Sequence, residues 1–137
     1  MAVIPTLKRR LDAGGRVVLV DTSIWIDHLR KSDAKLLELL ESDEVLVHPL
    51  IRLELALGSI ANREKMLAEL AKLRRPPIAN EEEVFHLLEQ RRLFRRGIGV
   101  ADLHLVASAL FDRSIQIWTR DKRLGEIAEE LGIRASF

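Results

Sequence analysis

The sequence predicts an α/β fold in three layers, with a mostly parallel central sheet and helices on both of its faces. Short apolar segments without polar alternation, such as residues 17–20, are typical of strands that are buried on both faces. Segments with helical periodicity separate these apolar segments. No two-residue hairpin signal such as Asn-Gly joins neighbouring strands, so the strands need crossover connections, which favour a parallel sheet.

Composition restricts the classes of protein to which the chain can belong. With 137 residues, of which 47% are hydrophobic and 31% charged, it is long enough for a buried core and typical of globular proteins. The lack of cysteine excludes disulfides, thiolate metal ligands and a cysteine nucleophile. The net charge of +1 indicates no overall preference for acidic or basic partners.

No segment of the sequence predicts a membrane span or a secretion signal. The longest apolar runs fall well short of the about 20 residues that a transmembrane helix needs. The basic residues Lys8, Arg9 and Arg10 are not followed by the apolar region of a signal peptide. We therefore expect no membrane association and a cytoplasmic location, with which the lack of cysteine is compatible.

The predicted helices have recognisable beginnings and ends. They start where short polar side chains can accept hydrogen bonds from free backbone N–H groups, as at Asn80, and several stop at glycine, as at Gly58 and Gly132. Three acids follow Asn80 and arginines lie at the end of the same helix, which suits the helix dipole. In chain order, we expect helices over residues 24–30, 35–41, 50–57, 61–73, 81–96, 100–111 and 122–131.

The predicted strands are short apolar segments between these helices. Residues 1–15 fit no core element, since they contain Pro5, three consecutive basic residues and a Gly14-Gly15 break. We expect two parts: an N-terminal arm or extension over residues 1–15, and one compact domain over residues 16–137. The expected strands, of which the last is an edge strand, cover residues 17–20, 45–47, 115–118 and 133–137.

Four carboxylates, which we call the acidic quartet, occupy positions where acids are uncommon. Two follow the carboxyl ends of predicted strands and two interrupt the apolar faces of predicted helices: Asp21, Asp121, Glu54 and Asp102. Each acid has an alternative explanation. The two strand-end acids can cap helices, and Asp102 can be stabilised by the dipole of its helix. Glu54 can reach solvent or pair with an arginine. In a parallel sheet covered by helices, however, all four positions can converge on the crevice at the carboxyl ends of the strands.

A divalent cation would resolve the repulsion within such a cluster of carboxylates. Several acids within a few ångströms repel one another, and burial raises the cost of keeping them charged. Oxygen ligands, without cysteine and without a histidine pair at ligand spacing, favour Mg²⁺ or Mn²⁺ over Zn²⁺. Such ions act on phosphates, because they orient a water, lower its pKa and stabilise charge on the attacking and leaving oxygens.

The contexts of the acidic quartet resemble those of the PIN-domain ribonucleases, and most closely the VapC-type toxins of toxin–antitoxin pairs. The resemblance covers nearly all of residues 16–137, whereas residues 1–15 are a departure from it. The motifs that carry it are Val18-Leu19-Val20-Asp21-Thr22-Ser23, Arg52-Leu53-Glu54-Leu55 with Gly58, Gly99-Val100-Ala101-Asp102 with Ala107, and Thr119-Arg120-Asp121-Lys122.

This resemblance implies a PIN-like fold and a metal-dependent endoribonuclease whose catalytic residues are the acidic quartet. By motif position, Asp21 and Asp102 would bind the Mg²⁺ or Mn²⁺ ion, and the other two acids would complete the site through water or a second ion. Ser23 and Thr119 are placed to hold these carboxylates or the substrate, with ordinary helix capping as the alternative. The resemblance also implies an RNA substrate, a cognate antitoxin that shields the site, and a homodimer.

Two other functions are compatible with the same sequence. A receiver-like domain could accept a phosphoryl group on Asp21, although no second acid adjoins Asp21 at the first strand. A non-catalytic interaction module could use the same fold to bind a partner chain. The presence of all four acids argues against the module, since a site without chemistry has no reason to keep buried charge.

Basic residues offer candidate contacts for RNA phosphates. On the predicted helix 81–96, four arginines would share one face, with a solvated helix end as the alternative: Arg91, Arg92, Arg95 and Arg96. A second group lies directly beside the proposed metal site and consists of Arg120, Lys122 and Arg123.

Overall fold

The computed structural model describes residues 16–137, which form the predicted α/β fold. Three strands form a parallel sheet in the order β2–β1–β3, where β1 is Val17–Val20, β2 is Val45–Leu46 and β3 is Ile115–Trp118. All four residues of β1 pair with β3, and two of them pair with β2. The central strand is fully buried, which explains why its sequence has no polar alternation.

Helices flank the sheet and form the crossovers between its parallel strands, as the sequence predicts. Both faces of β1 are covered, so the sheet is the middle layer of three. In the part of the chain that the structure describes, the helices are α1 (Thr22–Arg30), α2 (Ala34–Glu41), α3 (Pro49–Leu57), α4 (Arg63–Ala71), α5 (Glu81–Gln90), α6 (Val100–Phe111) and α7 (Lys122–Glu130).

The core is continuous and lies on both faces of the central strand. Leu19 of β1 is fully buried, as are Ile51 on α3 and Leu105 on α6. Helix α6 packs against both β3 and α5, and α1 packs against α3. Because β1 ends inside this core, the residue that follows it is buried at the carboxyl edge of the sheet, where α1 begins.

The prediction of one helix over residues 81–96 is wrong in its second half. Helix α5 ends at Gln90, because Arg92 and Arg95 adopt left-handed φ angles of 53° and 61°. The N–H of Leu93 donates to the carbonyl of Leu88, and the Leu93 side chain is buried in the core. The four arginines therefore do not share a helical face but lie on an irregular loop between α5 and α6.

The predicted edge strand over residues 133–137 is reduced to one isolated bridge between Ile117 and Arg134. A second isolated bridge, between Leu46 and Arg74, extends the opposite edge of the sheet.

The expected arm over residues 1–15 lies outside the described residues. Within residues 16–137, no helix combines the length and hydropathy needed to cross a membrane.

Candidate functional site

Asp21 is a buried carboxylate at the end of the central strand. It is 5% exposed and precedes α1, but its side chain makes no capping hydrogen bond to that helix. Instead, Oδ2 of Asp21 accepts hydrogen bonds from the hydroxyls of Ser23, at 2.8 Å, and Thr119, at 2.6 Å. Among the described residues, no hydrogen bond uses Oδ1. The alternative explanation of Asp21 as a helix cap therefore fails.

Ser23 and Thr119 form a small network that joins two strand ends. Ser23 Oγ accepts the N–H of Arg120 at 3.0 Å, and Thr119 Oγ1 accepts the N–H of Asp121 at 3.0 Å. The two hydroxyl oxygens lie 3.4 Å apart. Since both hydroxyls also donate to Asp21, they fix the carboxylate relative to the segment that carries the last acid of the quartet.

Glu54 lies on α3 and reaches the site from the side. It is exposed, and its neighbours Leu53 and Leu57 are 54% and 82% exposed, so Glu54 does not interrupt the buried face of α3 as its spacing suggested. Its Oε1 accepts a 2.8 Å hydrogen bond from the hydroxyl of Thr22. Thr22 thus turns Glu54 toward the start of α1, beside Asp21.

Asp102 lies in the first turn of α6, and its carboxyl is strongly perturbed. Burial raises the pKa of Asp102 to about 6, and the N–H of Gly99, which donates to Oδ2 at 3.2 Å, acts in the opposite direction. The remaining causes of the raised pKa are the negative charges of Asp21, Asp121 and Glu54. The structure therefore brings the other three acids close enough to Asp102 for their charges to act on its carboxyl.

Asp121 caps a helix with its side chain and also belongs to the acidic quartet. Its Oδ1 accepts the N–H of Leu124 at 2.8 Å and so caps α7. No hydrogen bond from another described residue uses its Oδ2. One oxygen of Asp121 is therefore committed to the helix, and the other is available to the site.

The arrangement is a set of oxygen donors without a ready-made cage for a metal ion. In residues 16–137, no three His, Asp or Glu side chains lie in an arrangement that holds a cation directly. Mg²⁺ does not require one, because it keeps several waters and binds proteins through one or two carboxylates. The free Oδ1 of Asp21 and the Asp102 carboxylate, whose charge is unfavourable without a neighbouring cation, fit such an ion.

Residues 18–130 match the family described as the PIN domain. The chain belongs to the PIN-domain family. Ribonuclease VapC32 from two strains of Mycobacterium tuberculosis is 47% identical over 117 residues, which are 85% of this chain and 94% of the relative. Ribonuclease VapC1 of Methanocaldococcus jannaschii is 25% identical over 138 residues, which are 98% of this chain and 97% of the relative.

Two residues at this PIN-domain site have roles that the sequence did not reveal. Thr22 holds Glu54, and the only signal for it was its place next to Asp21 in the first motif. The guanidinium of Arg120, expected near the metal site as a phosphate contact, instead donates to Asp27 at 2.6 Å and to Asp33 at 2.8 Å. Arg120 therefore ties the β3–α7 connection to α1 and α2.

Proposed function

We propose that this protein is a metal-dependent endoribonuclease that acts as the toxin of a type II toxin–antitoxin system. The observation that carries the proposal is the convergence of four carboxylates, from four separate elements, at the carboxyl edge of a parallel sheet. The names of the relatives support it, because a ribonuclease that is 47% identical matches 85% of this chain.

In this proposal, Asp21 and Asp102 bind a Mg²⁺ or Mn²⁺ ion, and the other members of the acidic quartet contact it through water. A bound divalent ion lowers the pKa of a water and neutralises charge on phosphoryl oxygens. Ser23 and Thr119 hold the Asp21 carboxylate through Oδ2, which leaves Oδ1 available to an ion. Thr22 gives Glu54 its orientation. The protein therefore supplies fixed negative charge where an ion and a phosphate meet.

The proposed partners are an RNA substrate, a cognate antitoxin and a second copy of the chain. Leu53 and Leu57 are exposed next to Glu54, so an antitoxin that covers them would also shield the site. The groove between α5 and α6 has a volume of about 440 Å³ and includes Leu87, Leu110 and Phe111, which supplies apolar area for a homodimer. We propose a cytoplasmic location, because an RNA target and an antitoxin would both be present there.

PIN-domain membership argues against the receiver-like alternative, since residues 18–130 match a different family. A non-catalytic interaction module of the PIN fold differs from the proposed nuclease in one measurable respect. The module has no use for a divalent ion, whereas the nuclease does not work without one.

Incubation of purified protein with total RNA, followed by sequencing of the RNA ends, tests the proposal. We expect cleavage with Mg²⁺ or Mn²⁺ that leaves 5′-phosphate and 3′-hydroxyl ends and stops in EDTA. Asp21→Asn should abolish cleavage and relieve growth arrest on expression, while the thermal unfolding transition stays cooperative. Cleavage by Asp21→Asn at the wild-type rate, or in EDTA, would contradict the proposed mechanism.

A further inference from the structure

The loop between α5 and α6 concentrates positive charge beside the acidic site. We call residues 91–97 the arginine loop, because four of these seven residues are arginines. Arg96 forms a two-point ion pair with Glu130 on α7, at 2.8 and 3.2 Å. The side chains of Arg92 and Arg95 are exposed and make no hydrogen bond or ion pair with any residue in the described part of the chain.

The backbone of the arginine loop is fixed rather than extended freely into solvent. Leu93 is 3% exposed, and its N–H closes the end of α5. On either side of it, Arg92 and Arg95 adopt left-handed φ angles, which cost free energy in residues other than glycine and concentrate at functional sites. With the backbone in this conformation, Leu93 is buried, and Arg92, Phe94 and Arg95 lie on the surface.

The arginine loop leads directly to the acidic quartet. Its last residue, Gly97, has a φ of 79° and lies against the Arg123 side chain, so that a Cβ atom at Gly97 would clash with the guanidinium. Arg123 lies two residues after Asp121. Two residues beyond the loop, the N–H of Gly99 donates to Asp102. The loop is thus held between α7 and the start of α6, at the rim of the site.

The loop also presents an aromatic ring next to the unpaired charge. Phe94 is 40% exposed, and the guanidinium of Arg92 lies 5.9 Å from the centre of its ring. A basic surface that follows the phosphates, combined with an exposed aromatic ring on which a base stacks, is how proteins bind single-stranded nucleic acid without reading its sequence.

We propose that Arg92, Phe94 and Arg95 bind single-stranded RNA next to the cleaved phosphate. The inference rests on the proposed ribonuclease function and names the part of the surface that holds the substrate. The acidic quartet repels the RNA backbone, so the flanking nucleotides need positive charge nearby. Arg92 and Arg95 supply it from a fixed loop at the rim of the site, and Phe94 stacks on one base.

Fluorescence anisotropy with a fluorescein-labelled single-stranded RNA of mixed sequence, in EDTA to prevent cleavage, tests this binding site. For Arg92→Gln/Arg95→Gln we expect about tenfold weaker binding and a slope of log Kd against log salt that is smaller by about 0.7 per arginine. Arg92→Lys/Arg95→Lys keeps the charge and should keep the slope. Phe94→Ala should weaken binding by about five- to 150-fold at every salt concentration.

Arg113→Gln is the matched control, because Arg113 is exposed and precedes β3, at the sheet edge opposite to Asp121. Wild-type affinity and slope in the double variant, or no binding of RNA by the wild type, would overturn the inference.

Cleavage with Mg²⁺ is measured in parallel. A wild type that cleaves RNA while the loop variants bind it normally refutes the loop site alone, and a wild type that does not cleave refutes the proposed function. Unchanged RNA binding with weaker binding of poly-glutamate would mean that the loop docks an acidic protein instead.

Discussion

The hydroxyl of Thr119 donates a 2.6 Å hydrogen bond to the buried carboxylate of Asp21, across 98 residues of sequence. The same hydroxyl oxygen accepts the N–H of Asp121 at 3.0 Å. One side chain therefore sets the position of one acid directly and of a second acid through the backbone. Hydrogen bonds of this kind orient metal-ligating carboxylates and affect the bound ion.

Thr119→Val should reduce both RNA cleavage and Mn²⁺ affinity by about 10- to 100-fold. Valine has nearly the shape of threonine but cannot donate to Asp21 or accept from Asp121. Thr119→Ser keeps the hydroxyl and should keep most of the activity. Steady-state cleavage and calorimetric titration with Mn²⁺ measure the two effects, and equal loss in the serine and valine variants would indicate a packing role instead.

Thr22→Val should reduce RNA cleavage less than Thr119→Val does, because the side chain that it releases, Glu54, is exposed. Without the Thr22 hydroxyl, the Glu54 carboxylate loses its hydrogen bond to α1 and samples several rotamers. Because this hydrogen bond is exposed, we assign it about 0.5–1.5 kcal/mol, which predicts a loss of about two- to tenfold in kcat/KM. Thr22→Ser is the control, and Glu54→Gln should be at least as damaging as Thr22→Val. If Thr22→Val cleaves RNA as the wild type does, Thr22 does not position Glu54.

Without a metal ion, Asp102→Asn should stabilise the folded protein at neutral pH. Burial and three neighbouring carboxylates raise the pKa of Asp102 to about 6 from its ordinary value of 3.8. Its contribution to folding is fully present below about pH 4 and is lost as the pH rises through about 6. Allowing for solvent screening, the variant should gain about 1–2 kcal/mol over the wild type at neutral pH.

Urea unfolding in EDTA at about pH 4 and about pH 7.5 measures this difference. Mg²⁺ should then raise the unfolding free energy of the wild type but not that of Asp102→Asn, since the ion favours the charged carboxylate. A variant that is less stable than the wild type at neutral pH in EDTA would mean that Asp102 is not under electrostatic strain.

The buried imidazole of His48 should make the protein sensitive to acid. Burial, followed by the charges of His104 and Arg75, lowers the pKa of His48 to about 4 from 6.5. A lowered pKa favours folding above about pH 6.5, and this contribution is lost as the pH falls through about 4. The size of the shift corresponds to about 3 kcal/mol.

His48→Asn removes the titration but keeps an acceptor for the N–H of Leu50, which His48 Nδ1 caps at 3.0 Å. The wild type should therefore lose more unfolding free energy than the variant between about pH 6.5 and about pH 4. Urea unfolding across this range measures the loss. Parallel pH profiles of the two proteins would exclude His48 as the acid-sensitive group.

The sequence was sufficient for the elements whose boundaries depend on local patterns. The predicted bounds are correct for Val17–Val20, Val100–Phe111 and Ile115–Trp118, because a short apolar strand or a continuous apolar helix face is visible in the residues themselves. The end of α5 was not predictable in this way. It depends on left-handed φ angles at Arg92 and Arg95, which glycine or asparagine normally signals, and on a place for Leu93 in a core formed by other elements.

The same distinction holds for the site. The order and contexts of the four acids were visible in the sequence, and so was the place of Ser23 and Thr119 beside them. The hydrogen bond from Thr22 to Glu54 and the ion pairs from Arg120 to Asp27 and Asp33 join residues of separate elements. Such contacts depend on rotamers and helix packing, which a single sequence does not encode in any local pattern.

Calorimetric titration of Mn²⁺ into the wild type, Asp21→Asn and Asp27→Asn is the most direct test of a cation shared by the acidic quartet. Asp27 is the control, because it is an exposed acid on α1, the helix that directly follows Asp21. Its carboxylate pairs with Arg120. We expect saturable binding by the wild type and by Asp27→Asn, and none by Asp21→Asn at millimolar Mn²⁺. Identical isotherms for Asp21→Asn and the wild type, or no binding by the wild type, would contradict a shared metal site.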